Sequence, residues 1–422
     1  MIELIRKEDC CGCTACVWAC PKSCITMTAD KEGFLYPSIA EKECVHCRKC
    51  QQVCPILHNE NRQITVSGNM SKEEYTRNRI TAEKKIPDSY VLYLRDSSVR
   101  RDSTSGGAFS LFAESVLSRD GVIYGAAIDR NHQIKHMRVS CPQDLDKLRG
   151  AKYVQSQQDG IYEQVRDDLA VNRTVLYTGT PCQVAGLYKF LGREYGNLIT
   201  IDIFCHGVGS PGYWNNYLSY MEDHYRSSIR RIKFREKTYG YHSACMAVSF
   251  SNGKSSRKDH DNDLFWTAFS KCYIFRPSCY ECRFKQILHK SDFSIGDFWD
   301  VSGLPRQYEE ADGCSLLLCH TQKGRDLLSQ MGEKAEMEPI DLEKALIING
   351  GHQVSMLIGS SHRPEKREAF LEEMGETQID DLVKKYIPVS WKYRIKALIK
   401  PVLYKTGTLD RIKQLRSRLI RS

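Results

Sequence analysis

Cys10-Cys-Gly-Cys13-Thr-Ala-Cys16-Val-Trp-Ala-Cys20-Pro21 is answered by Cys44-Val-His-Cys47-Arg-Lys-Cys50-Gln-Gln-Val-Cys54-Pro55, and this pair of runs decides how the chain begins. Both read C-x2-C-x2-C-x3-C-P. In this spacing three close thiolates wrap three irons of a four-iron cubane, and the fourth Cys, one helical turn on, reaches across to the other cubane. By that rule Cys10, Cys13, Cys16 and Cys54 bind one 4Fe-4S cluster, and Cys44, Cys47, Cys50 and Cys20 bind a second. The proline after each run ends it and turns the chain. Paired zinc sites would use two CxxC pairs and leave both the third Cys and the x3-C-P ending unexplained. Cys11, Cys24 and His46 fall outside the spacing and read as bystanders.

The rest of the chain is long for such a module. At 422 residues it calls for one or two larger units. Hydrophobic residues at 41% and charged residues at 27% fit a globular chain and exclude a disordered one. The first residues hold no apolar signal-peptide core, and no stretch approaches the roughly 18 apolar residues of a spanning helix. The expected location is therefore the cytoplasm, where thiols stay reduced, and the 19 cysteines point to metal instead of disulfides. The net charge of +9 is concentrated: residues 391–422 carry ten Lys or Arg and one Asp, so the remainder sums to about zero. A nucleic-acid partner is not expected of such a body. Within that tail Leu409, Ile412, Leu415, Leu419 and Ile420 fall at helical spacing among basic residues. Two readings stay open: a basic helix lying at the inner face of a membrane, or a solvated helix packed on the body or a partner.

Residues 57–88 turn polar and read as a linker with one surface helix. From Tyr90-Val-Leu-Tyr-Leu to about residue 335, strand-like and helix-like segments alternate, as in an α/β or α+β domain. Residues 336–388 read as a helical extension and 389–422 as the basic tail. Two strand-to-helix turns stand out. In Asp102-Ser-Thr-Ser105-Gly106-Gly107-Ala-Phe, hydroxyls and paired glycines precede a periodic helix, which suits either a phosphate or flavin contact or a plain capped helix. In Thr174-Val-Leu-Tyr-Thr178-Gly179-Thr180-Pro181-Cys182-Gln183, a short strand meets a capping box with Pro at the first helical position. The following Leu198-Ile-Thr-Ile-Asp202-Ile completes a βαβ unit with parallel, neighbouring strands.

Cys182 and Cys205 each lie just beyond the carboxyl end of one of these strands, where open α/β sheets place their ligands. Downstream, Arg276-Pro-Ser-Cys279-Tyr-Glu-Cys282 supplies a CxxC pair. Together they could supply four thiols for a third cluster; the competing reading is that Cys182 and Cys205 are buried small hydrophobes. Cys141, Cys245, Cys272, Cys314 and Cys319 show no ligand spacing. His206, after Cys205, and Asp297, in Gly296-Asp-Phe-Trp299, stand as candidate catalytic proton donors by position, or as structural hydrogen-bonded groups.

Taken in order, Ser103-Thr-Ser-Gly-Gly-Ala-Phe, Leu148-Arg-Gly-Ala-Lys152-Tyr-Val-Gln-Ser, Thr178-Gly-Thr-Pro-Cys-Gln, Cys205-His-Gly-Val, Arg276-Pro-Ser-Cys-Tyr-Glu-Cys and Gly296-Asp-Phe-Trp resemble the hallmarks of the coenzyme F420 hydrogenase/dehydrogenase beta-subunit family. The resemblance covers roughly residues 1–330. It implies a fold of a small bacterial-ferredoxin-like domain (1–56) followed by a larger mixed α/β flavin-binding domain (89–335). It implies FAD, with Ser105, Gly106, Gly107, Lys152, Thr178, Gly179 and Thr180 as flavin-site candidates, and it favours Cys182, Cys205, Cys279 and Cys282 as ligands. The function expected is a flavin-dependent iron–sulfur oxidoreductase. Its electrons would come from ferredoxin or another low-potential donor and pass to a small-molecule substrate that no segment identifies. The alternative is a non-catalytic electron-transfer subunit linking F420 to a partner enzyme.

Overall fold

The structure is a computed structural model. It describes residues 5–59, 71–83, 85–260, 262–299, 308, 312–348, 356–359 and 361–388, with isolated positions between 395 and 408. The expected basic tail helix lies outside the described residues.

The cysteine runs fold as a two-fold repeat. Each places a one-turn helix after its second cysteine, α1 (Ala15–Trp18) and α2 (Lys49–Gln52). Between them lies an antiparallel hairpin, β1 (Ile25–Ala29) and β2 (Leu35–Ile39), paired Ile25 with Ile39 through Ala29 with Leu35. The linker helix α3 (Lys72–Thr81) is capped by the Ser71 hydroxyl, which accepts from Glu74 N. It is less superficial than its polar sequence suggests. Thr76 is fully buried, and the buried Tyr75 donates its hydroxyl to the Ile358 carbonyl at 2.9 Å.

An eight-stranded mixed sheet carries the rest of this unit. Its strands are β3 (Asp88–Leu94), β4 (Val122–Ile128), β5 (Ile134–Val139), β6 (Val175–Gly179), β7 (Leu198–Ile203), and, after the second unit, β11 (Phe293–Phe298), β12 (Cys314–Cys319) and β13 (Ala335–Pro339). The spatial order is β13-β3-β12-β11-β7-β6-β4-β5. Strands β4, β6, β7 and β11 run parallel to one another and the outer pairings are antiparallel. The central strands are rich in apolar residues because helices cover both of their faces, with Thr200 and Asp202 in β7 and Ser294 and Asp297 in β11 as polar exceptions. After β3 the short α4 (Ser97–Asp102), capped by the Asp96 carboxylate, leads to the glycine turn. On one face α5 (Ala108–Leu117) packs Leu111, Phe112 and Val116 against Ile123, Leu176 and Ile201. On the other, α6 (Ile161–Ala170) and α7 (Pro181–Leu191) pack over Val122, Val175 and Leu198 together with Cys11, Cys13 and Cys54 of the cysteine module. The β6–α7–β7 unit is parallel and adjacent, with Val175 opposite Leu198, as its sequence leads one to expect.

The chain divides into two compact units, residues 1–212 with 275–363 and residues 213–274 with 364–422. The sequence suggests one continuous domain over 89–335, and the structure interrupts it. Most of α8 (Pro211–Tyr225), a three-stranded antiparallel sheet of β8 (Ile229–Glu236), β9 (Cys245–Phe250) and β10 (Ser255–Lys258), and α9 (Leu264–Ser270) form the second unit with helices Arg367–Glu372 and Ile379–Tyr386. Its core is aromatic: Trp214 stacks on Phe234 at 5.0 Å and meets Phe265 edge-on. Phe370 packs on Tyr213, which closes the insertion with chain from far downstream.

Candidate functional site

Each cysteine loop repeats the same backbone device. Gly12 and His46, at matching positions, have φ of 68° and 52°; Thr14 and Arg48, two residues later in each run, have 65° and 58°. The left-handed conformation costs a non-glycine residue roughly 1 kcal/mol. Alternating hands turn successive N–H groups into one concavity that suits an anionic centre, and a cubane held by four thiolates is one. This explains His46 as a backbone position, not a ligand. Gly12 is further required because a Cβ there would lie 2.7 Å from Gln155 Nε2 and 2.8 Å from the Arg276 guanidinium.

The thiols of the two runs lie in one another's electrostatic fields: Cys16 in those of Cys10, Cys54 and Cys50, Cys54 in those of Cys10 and Cys50, and Cys50 in those of Cys47 and Cys20. Cys10, Cys13, Cys16 and Cys54 share a small apolar cavity. Burial and neighbouring thiols push Cys16 up to about 12. Thiolates packed this way need a cation to neutralise them, and iron supplies it. The two sets differ in exposure: Cys10, Cys13 and Cys54 are buried, whereas Cys47 is exposed and Cys44 and Cys20 are half-buried.

The second assembly lies at the carboxyl edge of the sheet. Cys182 follows β6 in the first turn of α7, and Cys205 follows β7. Cys279 and Cys282 precede β11, the strand beside β7. All four line one cavity of about 880 Å³. After burial, Cys205 is pushed up by Cys279, Cys182 and Cys282, and Cys279, up to about 12, by Cys282 and Cys182, whereas Cys182 is raised by Cys11 and by burial. Four mutually repelling thiols in one wall fit a four-iron cubane as the first set does. Among the described residues no three His, Cys, Asp or Glu side chains converge on a single ion; a cubane instead spreads four thiols over four irons.

The two assemblies touch through two structures. The first is α7. Its capping box forms as its sequence spells it: Thr180 Oγ1 faces the third helical N–H and Gln183 Oε1 accepts from Thr180 N at 2.9 Å. One turn after Cys182, Gly186 lets the first cluster loop come close, since a Cβ there would lie 2.8 Å from Cys13 Cβ. The second is Arg276, fully buried. Its Nε donates to the Cys10 carbonyl at 2.6 Å and its two terminal nitrogens donate to Gln155 Oε1 at 2.7 Å and to the Leu35 carbonyl at 2.9 Å. Gln155 Nε2 in turn donates to the Cys11 carbonyl. Cys11 is no bystander in position: it lines the large cavity, and its free thiol neighbours those of Cys13 and Cys182. Neither Arg276 nor Cys11 announces this in the sequence, where one is a neighbour of a CxxC and the other is out of register.

The flavin candidates gather less tightly. Only Thr180 lines the cavity. The Ser103–Gly107 turn reaches the 148–152 segment through Thr104 Oγ1, which accepts from Ala151 N at 2.7 Å. Thr178 accepts through its carbonyl from His136 Nε2 at 2.9 Å. The glycines have packing reasons: a Cβ at Gly106 would lie 2.3 Å from the Leu92 carbonyl, and Gly107 has φ 94°. Ser105 Oγ is bonded to Ser315 Oγ. Gly179 meets Gln183 and Tyr177. Lys152 Nζ donates to the carbonyls of Lys147, Leu148 and Arg149, which occupies its three protons. His206 lines the cavity edge-on to Phe275, while its carbonyl accepts from Ser361 and Lys285. Asp297 lies on β11 opposite Ser315 and is not among the cavity's wall residues.

Duplicated cluster loops packed on an α/β sheet define an iron–sulfur electron-transfer protein. Residues 9–56 match the family described as "4Fe-4S dicluster domain". Residues 172–344 match the family of the carboxyl-terminal region of the coenzyme F420 hydrogenase/dehydrogenase beta subunit. Those two segments are similar to these families, and the chain is related to F420 hydrogenase beta subunits. A chain of the F420-reducing NiFe hydrogenase complex from Methanosarcina barkeri, solved after xenon derivatization, is similar at 18% identity over 68% of this chain and 92% of its own, with a TM-score of 0.44. Among curated proteins none matches. Among the described residues no helix is long and apolar enough to cross a membrane.

Proposed function

We propose that the protein is a flavin-dependent iron–sulfur oxidoreductase that takes electrons from ferredoxin or a similar low-potential donor and reduces a small molecule. When bound, the clusters carry single electrons and FAD stores two for delivery as a hydride. The observation that carries the reading is the convergence of Cys182, Cys205, Cys279 and Cys282 on one large cavity, joined to the dicluster loops by α7 and Arg276. The donor's entry point is the second cysteine run, where Cys47 reaches the surface and Lys42, Arg48 and Lys49 are exposed. The 880 Å³ cavity is in the size range of cofactor and substrate sites. Its position beyond the strand carboxyl ends is where open α/β sheets bind ligands. Protein purified without oxygen is expected to carry about twelve irons, four per cubane, and one flavin. About eight irons with flavin would remove the third cluster alone, and zinc in place of iron would end the reading.

The beta-subunit match over residues 172–344 also favours a second reading, an electron-transfer subunit linking F420 to a partner enzyme. Obligate co-purification with a second subunit supports that alternative; a lone chain that turns over a substrate supports the first. For the basic tail we propose peripheral contact with an anionic membrane, each basic residue contributing about 1 kcal/mol near the surface. Full-length protein is then expected to sediment with anionic liposomes and to be released by salt, whereas a chain ending at Val389 stays in solution. Equal behaviour of the two would remove the membrane role.

A further inference from the structure

One cysteine of the first run belongs to neither ligand set and sits between them. Cys11 falls outside the C-x2-C-x2-C-x3-C spacing and is 8% exposed. It forms part of two walls. It lines the small apolar cavity with Cys10, Cys13, Cys16 and Cys54, and the large cavity with Cys182, Cys205, Cys279 and Cys282. Among the described residues the two cavities share Cys11 and Ile56, and of these Cys11 alone brings a sulfur.

The position is held from the backbone. The Cys11 carbonyl accepts from Gln155 Nε2 at 3.1 Å, and Gln155 Oε1 accepts from the buried Arg276 at 2.7 Å. Gly12, the next residue, has φ 68° and is closed over by those same two side chains. So anchored, the loop keeps the Cys11 thiol beside Cys13 on one side and Cys182 on the other. Packing alone asks only for a small apolar side chain here. It does not ask for a sulfur next to one ligand of each cluster.

An electron passing between two buried metal centres tunnels. Its probability of crossing falls steeply with distance, and far more steeply across an empty gap than through packed atoms. Two routes join the cavities. One runs from Cys13 to Gly186, where a Cβ would lie 3.0 Å from Cys13 Sγ, and then back along one turn of α7 to Cys182. The other crosses the single side chain of Cys11, whose soft, polarisable sulfur fills the space between the two ligand sulfurs.

Resting on the third-cluster reading above, we infer that Cys11 is the electron bridge between the cluster site of Cys10, Cys13, Cys16 and Cys54 and that of Cys182, Cys205, Cys279 and Cys282, and is a ligand in neither. The step moves one electron: the first site is oxidised by one and the third is reduced by one. Cys11 makes and breaks no bond and ends with the electrons and proton it began with. The exposed Cys47 marks where the dicluster module is loaded, and Cys11 marks its exit.

The test compares wild type with Cys11→Ala and Cys11→Ser, all full-length and purified anaerobically, for iron content, cluster midpoint potentials and the rate of internal electron redistribution. Pulse radiolysis delivers a substoichiometric dose of electrons, and absorbance with freeze-quenched EPR follows their relaxation among the clusters. That relaxation reads the bridge whichever cluster is hit first. Cys11→Ala is expected to keep wild-type iron and potentials and to relax at least about tenfold more slowly, the change that about 1.4 kcal/mol of barrier makes. Cys11→Ser, which leaves a smaller gap, is expected to slow it by less. If the alanine variant loses iron, the serine variant decides. An iron-replete variant that relaxes at the wild-type rate overturns the inference, hands the route to α7 and leaves the third cluster standing. Loss of about four irons from both variants, one cubane's worth, makes Cys11 a ligand and also overturns it. A wild type with about eight irons, two cubanes' worth, ends the third-cluster reading and the bridge together.

Discussion

Cys279→Ala, and separately Cys182→Ala, should each lower the iron content by about four atoms per chain, one cubane's worth, while the eight dicluster irons and the flavin stay. The cavity keeps its shape when one thiol is shortened, because the walls come from strand ends fixed by the sheet and from α7, whose capping box keeps its Thr180–Gln183 pairing although Thr180 Oγ1 loses its 3.1 Å contact with Cys182 Sγ. Donor-driven bleaching of the flavin should then slow sharply, since the electron path ends at the first cluster. Iron analysis and visible spectra of the two variants decide the matter. Unchanged iron in both would show that the four thiols only pack.

Arg276→Met should have the other large effect, and on a different quantity. The guanidinium is fully buried and satisfies the carbonyls of Cys10 and Leu35 and the side chain of Gln155. Its face also lies 4.2 Å from the centre of the Tyr36 ring. Removing it strands one buried acceptor, the Cys10 carbonyl, and two part-buried ones, at about 1 to 3 kcal/mol for the buried one and less for the others, so a loss on the order of 2 to 3 kcal/mol is expected. Methionine fills much of the volume, which separates lost hydrogen bonds from a cavity. The first dicluster loop loses its anchor, so iron bound by Cys10, Cys13, Cys16 and Cys54 should leave before the rest in a denaturant series. An unchanged midpoint with unchanged iron would show that the loop is held by its cluster alone.

What the sequence makes legible depends on how far a signal reaches along the chain. The cysteine runs, the βαβ unit and the capping box at Thr180 are local: their chemistry and spacing fall within a few turns, and each forms as its residues imply. The strand ends even foretell that Cys182 and Cys205 share an edge, because two parallel neighbours put their carboxyl ends together. The buried hydrogen bond between His289 and Asp202, by contrast, joins residues 87 apart, and Arg276 lies 266 residues from the carbonyl it holds. No periodicity records such a pairing. Asp202 reads as one polar residue in a strand and His289 as one more loop histidine. The insertion at 213–274 is hidden for a similar reason, since its core closes with Phe370, far downstream. The flavin candidates illustrate the opposite difficulty. Gly106, Gly107 and Lys152 have full structural employment in close backbone approach and carbonyl capping, so a motif that suggests a ligand is also what the packing alone would require.

The cysteine module and the eight-stranded sheet belong to one compact unit, and this bears on kinetics. A separate small electron carrier must diffuse, collide and orient before each delivery, so its rate follows concentration and falls as salt screens the charges that guide it. A carrier fused into the same body has already met that requirement, and the hand-over inside the chain becomes a first-order event, indifferent to dilution and to ionic strength. The collisions that remain are those with partners outside the chain, so a salt dependence of electron delivery reports on the outer encounter and not on the hand-over within this unit.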